Sequence, residues 1–325
     1  MLTLMHKFIF IIFLLPVTIL SQNQDLDNVA GDLIFLTGKY VAPAAQATTY
    51  QSSGGWYTTA KKKTLWTVEV SVQGNVLFIP NSKQNVLAEE SNLTNLTIQG
   101  TETAASIPSA LGGESNVVFE GVINGDSFEF DAPEGLNQSL VNHYQVQAGL
   151  GLWKGTTLIG RYSPKIKIDK THYQVFGFGL QHNLSQWIPS LKESSFNIAG
   201  LASYSNYNVS DEFTPANLVL GTINAINVEG ESIQFNVLAS KKIKSFDFSA
   251  ALGINISTFT YEMGGEGELL LAVLNQALTT LEDNETNFKA DLGINYNLEN
   301  LSINSMLTIG AYANVLFGVN YNLDI

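Results

Sequence analysis

From residue 143 onward the chain is written in runs that alternate apolar and polar positions. In SFDFSAALGINIS, residues 245–257, Phe246, Phe248, Ala250, Leu252, Ile254 and Ile256 hold the even positions. Asp247, Ser249, Ala251, Gly253, Asn255 and Ser257 hold the odd ones. A period of two marks a strand with one apolar and one polar face. The same pattern predicts strands over His143–Leu152, Thr156–Ser163, His172–Asn183, Ser195–Tyr204, Glu231–Ser240 and Phe246–Tyr261. Three more follow around Asn287–Tyr296, Leu301–Ile309 and Val315–Ile325. Upstream, Trp66, Val68, Val70 and Val72 open a strand. Shorter pieces stand at Leu93–Ile98, Val117–Ile123 and Ser127–Phe130.

What covers the apolar faces is decided by length. Strands of globular proteins run ~5–6 residues, whereas a strand crossing a bilayer needs ~9–11. The stretches 245–257, 286–298 and 314–325 belong to the longer class. Their polar rows mix Gly, Asn, Ser, Gln and Asp, as an enclosed wet interior would. Connections support this reading: short ones at Lys154-Gly155, Lys241–Lys244 and Leu298–Asn300 alternate with long ones at Ser205–Gly230 and Glu262–Glu285. Asn183–Ser194 and Gly310–Ala313 break that alternation. The fold class expected is all-β, an antiparallel transmembrane barrel. Counting three strands before residue 142 gives about 12, within a range of roughly 10–14. Closure is required, because an unpaired sheet edge in hydrocarbon costs several kcal/mol per backbone group.

Two segments follow helical spacing instead. In Asp25–Tyr40, Leu26, Val29, Leu33, Leu36 and Tyr40 share a face, with acidic residues at the start. It precedes a Gly/Ser/Thr-rich passage, Thr48–Ala60, and Lys61–Lys63. Such a helix either plugs the lumen, with Leu33 and Leu36 on the plug, or caps the barrel mouth. The second segment, EGELLLAVLNQALTTLED (266–283), aligns Leu270, Val273, Leu274, Ala277, Leu278 and Leu281 on one face. A stripe of this kind on an outer loop needs a cover. Packing on the barrel rim supplies one; the alternative is an entry surface for an apolar ligand, built from Leu270, Val273, Leu274 and Leu278.

His6-Lys7, the apolar run Phe8–Leu15 and the small-residue passage Val17–Ser21 read as a secretory signal peptide cut after Ser21. The division expected is therefore 1–21 signal peptide, 22–64 helix and plug segment, 65–325 barrel. A net charge of −13 across 325 residues argues against nucleic acid as partner. The absence of cysteine excludes disulfides, a thiol nucleophile and a Cys-based zinc site.

The segments GGWYTTAKKK (54–63), GLGLWKGTTLIGRYSPKIKI (149–168), GFGLQHNLSQWIP (177–189) and LASKKIKSFDFSAALGIN (238–255) resemble landmarks of an uncharacterised Bacteroidota outer-membrane barrel family. That family is similar in plan to the FadL-type transporters of hydrophobic compounds. The resemblance spans most of the mature chain and carries no catalytic motif. It implies a barrel with an N-terminal plug-like element in the outer membrane of a Gram-negative bacterium, and passage of apolar small molecules. The chain departs from common barrel practice by ending on Ile325 rather than an aromatic residue.

Catalytic chemistry finds little footing. His172 and His182 share a face but stand ~33 Å apart at strand rise, too far to bind one metal. No G-x-S-x-G motif pairs a serine with a base. The carboxylate clusters Glu89-Glu90, Asp211-Glu212 and Glu282–Glu285 read as a solvated rim, with calcium as the rival reading. No enzymatic activity and no cofactor are expected. The partners expected are outer-membrane lipid, the barrel-assembly machinery and a hydrophobic small molecule. The function expected is capture or passive transport of that molecule. Two alternatives stand beside it: a structural barrel with a filled lumen, and a secreted soluble β-sandwich.

Overall fold

The computed structural model of the chain describes residues 24–168, 171–281 and 283–323. The signal segment 1–21 and the terminal Ile325 lie outside the described residues. A helix, α1 (Gln24–Ser53), comes first, followed by β1 (Val68–Phe78). Then come five short strands: β2 (Asn85–Glu89), β3 (Thr97–Ile98), β4 (Ala104–Pro108), β5 (Val118–Ile123) and β6 (Asp126–Asp131). The long series is β7 (Leu140–Gly151), β8 (Thr156–Ile168), β9 (Thr171–Asn183), β10 (Phe196–Leu218), β11 (Gly221–Ile243) and β12 (Phe246–Glu266). A helix, α2 (Glu268–Leu278), precedes β13 (Asp283–Leu298), β14 (Leu301–Ile309) and β15 (Ala313–Leu323).

β1 pairs with β15 on one side and β7 on the other, and β7 to β15 pair in sequence, so the sheet closes into an antiparallel barrel. It has ten strands, not twelve. All nine strands read after residue 142 are present. The short pieces before it form two small sheets, β2-β4 and β3-β5-β6, between β1 and β7. At two to six residues they are too short to cross a bilayer. No described helix is long and apolar enough to cross one either.

The wall reverses its character partway along. On β12 the even residues from Phe246 to Ile256 face outward, and Leu252 is 70% exposed. The odd residues Asp247, Ser249, Asn255 and Ser257 are buried inside. Two residues further, Phe259, Tyr261 and Met263 continue the inward row, while Thr258, Thr260 and Glu262 take the outward one. β11 switches outside between Ile233 and Glu231, β10 between Tyr204 and Asn206, and β13 between Phe288 and Thr286. The register places these switches at one level, with Ile256 opposite Ile233 and Thr258 opposite Glu231.

Below that level lies an apolar outer belt over an interior that is polar apart from a cluster around Trp56, Leu238 and Leu316; above it, a polar exterior over an apolar interior. Phe246 to Ile256 covers ~33 Å of strand, which a tilt of roughly 40° reduces to the ~25 Å apolar band of a membrane barrel. Aromatic pairs edge the belt: Trp66 packs on Trp153 with centroids 4.9 Å apart, Phe246 on Tyr296 at 4.9 Å, and Phe178 on half-buried Tyr204 at 5.3 Å. The segment read as an outer loop, Ser205–Gly230, is therefore strand over most of its length, turning only at Val219-Leu220.

α1 plugs the lumen along its axis. It runs from the β5–β6 turn, where Asn124 N donates to Asp25 at 3.2 Å, down to the level of Arg161 and Lys289 in the wall. The helix extends to Ser53, well past Tyr40, because its buried hydroxyls satisfy themselves locally. Thr48 Oγ1 donates to Ala44 O at 2.9 Å, and Ser53 Oγ to Tyr50 O at 2.9 Å. Its apolar half (Leu26 to Val41) faces the apolar upper wall, and its polar half (Thr48–Ser53) the polar lower one. Thr49 marks the change, with its hydroxyl 3.0 Å from Tyr207 Oη and 3.2 Å from Ser257 Oγ.

Gly54-Gly55 then ends the helix, Gly55 at φ +77°, where a Cβ would stand 2.2 Å from Leu316 Cδ1. Two buried cations from the wall meet the final carbonyls, the end where the helix dipole favours positive charge. Arg161 Nη1 donates to Ser52 O at 2.7 Å, and Lys289 Nζ to Ser53 O at 2.8 Å. Lys289 is also paired with buried Asp291 at 2.9 Å, which accepts from Tyr57 Oη at 3.1 Å and Thr308 Oγ1 at 2.7 Å.

Candidate ligand-binding site

Above the belt, α1 does not fill the barrel completely. One cavity, the larger of two, lies between α1 and β7, β9, β10 and β11. Val41, Ala44 and Ala45 form its helix side; Val141, Val209 and Val228 belong to its wall. The second lies further out, lined by Leu33, Leu36, Phe119, Phe130, Phe213 and Met263. Both include Ile226. Their linings are largely apolar, as those of small-molecule pockets are.

Tyr40 stands between the two. Its hydroxyl is 2.8 Å from Glu134 O and 3.0 Å from Asp211 Oδ2. Burial first, and the Asp211 carboxylate second, push this phenol far above its ordinary range. Asp211 also accepts from Thr171 Oγ1 at 2.6 Å. Leu136, Thr171 and Asp211 line both the larger cavity and a polar vestibule, at whose edge Glu114 and Glu212 are exposed.

The floor of the larger cavity is polar. Thr48, Gln51, Tyr173 and Tyr207 contribute to it. Gln51 Nε2 donates to Val141 O at 3.3 Å, and Tyr207 Oη meets Thr49. Tyr173 is different: its ring packs edge-on against His143, centroids 4.8 Å apart, and its buried hydroxyl has no hydrogen-bond partner.

Leu33 and Leu36 line the outer cavity. Leu270, Leu274 and Leu278 are fully buried in the same apolar cluster as Leu33 and Leu36, and Val273 packs against it half-buried. The α2 stripe is thus covered, and none of its four residues lines either cavity. Asn275 fixes α2 to β12 by a pair of backbone hydrogen bonds to Met263, at 2.7 and 3.1 Å. The residues that do shape the larger cavity, Tyr173, Tyr207, Ile226 and Val228, were hidden in what read as ordinary alternation or as loop. Their signal was an aromatic or branched residue on the polar row.

The histidines do not converge. His182 Nδ1 lies 2.9 Å from Thr156 Oγ1, and its Nε2 accepts from Trp187 at 3.1 Å. His143 Nε2 sits 2.7 Å from Ser163 Oγ, a pairing sequence spacing did not indicate. That serine is also 2.8 Å from Tyr144 O, and His143 Nδ1 has no partner to orient the ring. The pair is fully buried, and neither residue lines either cavity. Among the described residues no cluster of three His, Asp or Glu side chains is placed to hold a metal.

A family model covering residues 3–323 matches the sequence, that of a family of unknown function, DUF6588. The chain belongs to this family. No curated protein matches it in sequence. Among solved structures, this family member is similar to the translocator domain of the autotransporter NalP from Neisseria meningitidis, at 8% identity and TM-score 0.40, over 92% of this chain and 99% of that one. It is also similar to Ail, the attachment invasion locus protein of Yersinia pestis, at 8% identity and TM-score 0.28, over 80% and 100%. A third likeness, to the KdgM porin, has 10% identity and TM-score 0.26, over 56% and 94%.

Proposed function

We propose that the protein is an outer-membrane β-barrel that captures hydrophobic small molecules in the apolar chamber beside α1. The observation that carries this reading is the inverted wall. Above the belt the inward row of the wall is predominantly apolar, and there α1 leaves space against it. Binding is partition without covalent change, and burial contributes ~25 cal/mol per Å² of apolar surface. The vestibule at Glu114 and Glu212 is the route in. Passage to the other side requires the segment 52–57 to move, since it occupies the lumen at the level of Arg161 and Lys289. The apolar belt supports outer-membrane lipid as the surrounding medium. The signal-like N-terminus and the barrel-assembly machinery supply the path there. The FadL-type plan that the sequence resemblance implies agrees with an apolar cargo.

The experiment is displacement of N-phenylnaphthylamine from the full mature chain in nanodiscs, using undecane and 2-undecanone. Saturable displacement is expected, reduced by Val209→Phe, which fills the chamber. Its absence from protein that shows heat-modifiable gel mobility overturns the proposal.

A second reading, a structural barrel with no ligand, is favoured by one observation. The cations Arg161 and Lys289 pin α1 at both of its last carbonyls. It predicts no saturable displacement by either compound.

A further inference from the structure

The chamber is apolar along its sides and polar at its floor, and one floor group is left unmatched. Tyr173 lines the cavity, is 4% exposed, and its hydroxyl is a buried polar atom without a partner. A buried unpaired hydroxyl costs about 1–3 kcal/mol, so native proteins rarely leave one without a bound water or ligand to meet it. The other floor groups are engaged: Gln51 with Val141 O, Tyr207 with Thr49. The nearest cation on the wall below is engaged too. Arg161 donates from Nε and Nη2 to Gln147 Oε1 at 3.1 and 2.9 Å and from Nη1 to Ser52 O, and its guanidinium stacks on Trp56 at 3.9 Å. A carboxylate arriving at the floor would thus be buried among engaged groups, and burying an ion without full compensation is expensive.

We infer that the chamber selects an uncharged, elongated apolar molecule carrying one terminal hydrogen-bond acceptor, a ketone, ester or alcohol oxygen, which Tyr173 Oη meets as donor. The inference rests on the chamber being a ligand site, and it adds the ligand's polarity, its charge and its direction of entry. The hydrocarbon body lies against Val41, Ala44, Val209 and Val228, and the oxygen goes in first. A pure hydrocarbon fills the same space but leaves the phenol unsatisfied. A fatty acid must lose its charge or its place.

The test compares undecane, 2-undecanone and undecanoate as competitors of N-phenylnaphthylamine on the full mature chain in zwitterionic nanodiscs, for wild type and Tyr173→Phe. In wild type the ketone is expected to bind about tenfold tighter than the alkane, equivalent to ~1.4 kcal/mol, with undecanoate weakest. Tyr173→Phe keeps the ring on His143 and removes only the hydroxyl, so the ketone's advantage over the alkane is expected to vanish. Heat-modifiable mobility confirms that the variant folds. A ketone advantage that survives Tyr173→Phe overturns the inference, as does equal binding of ketone and alkane to wild type, which would leave water as the phenol's partner. Undecanoate binding tighter than the ketone overturns the neutral-ligand assignment. If the alkane and ketone both fail to compete, the chamber is not a ligand site and the proposed function falls with the inference. Alkane binding without ketone preference removes the inference alone.

Discussion

The Arg161 guanidinium, rooted in the barrel wall, donates to the Ser52 carbonyl at 2.7 Å and stacks on Trp56 at 3.9 Å. One side chain thereby ties β8 to both the last turn of α1 and the segment that leaves it. Removing one partner of a buried charged contact costs about 3–5 kcal/mol. Arg161→Met keeps the volume and discards the donors. The barrel should still close, since its backbone ladder is untouched, but the plug should loosen. In planar bilayers wild type is expected to be essentially closed and Arg161→Met to show intermittent conductance. A variant as quiet as wild type would mean that Arg161 does not hold the plug.

Asp32 performs a comparable task at the other end of the helix. Its carboxylate accepts from the backbone N–H groups of Thr94, Asn95 and Leu96 at 2.8, 2.7 and 2.8 Å, fixing the β2–β3 connection to α1. Hydrogen bonds to charged groups contribute about 1.5–3 kcal/mol each. Asp32→Asn should raise amide exchange at residues 94–98 by at least about tenfold while β10–β12 keep their protection; uniform protection would contradict this role.

Close packing of the upper wall predicts a contrast between two glycines. A Cβ on Gly230 would lie 2.0 Å from the Tyr207 ring, whereas one on Gly200 would meet nothing within 4 Å. Overpacking typically costs 1–3 kcal/mol. Gly230→Ala should lower the urea midpoint of unfolding, followed by gel mobility, and Gly200→Ala should leave it within error of wild type.

Leu274, on the buried face of α2, is 0% exposed. Leu274→Ala should cost about 2–5 kcal/mol, expressed locally as faster proteolysis around residues 267–281. Ketone and alkane displacement should be little changed, because Leu274 lines neither cavity. Loss of binding with α2 intact would return the leucine stripe to the entry route.

Much of the barrel was legible because a period of two is unambiguous wherever one face meets an apolar medium, as in Phe246–Ile256. Legibility failed where the medium changes. Tyr207, Ile226, Val228 and Phe259 sit on the same row as Ser203, Ser232 and Ser257, so a rule of polar-inward residues turns real strand into apparent loop at 205–230. The plug failed for a related reason. Thr48, Thr49, Ser52 and Ser53 read as a loop, yet inside a polar lumen their hydroxyls bond to the helix and its wall. The chamber is a product of these two hidden features, and the visible leucine stripe on α2 drew attention to a face that turns out to be covered.

The chain has no native cysteine, so single cysteines can carry spin labels along β12 and β13 of protein in lipid vesicles. Power saturation with oxygen, which concentrates in hydrocarbon, and with a water-soluble nickel chelate reads the surroundings of each label. The account predicts oxygen access at positions 252 and 288, chelate access at 258 and 262, and little of either at 255. Labels at 252 and 288 that favour the chelate, or are shielded from both reagents, would contradict the lipid-facing belt on which the barrel's placement and its chamber both depend.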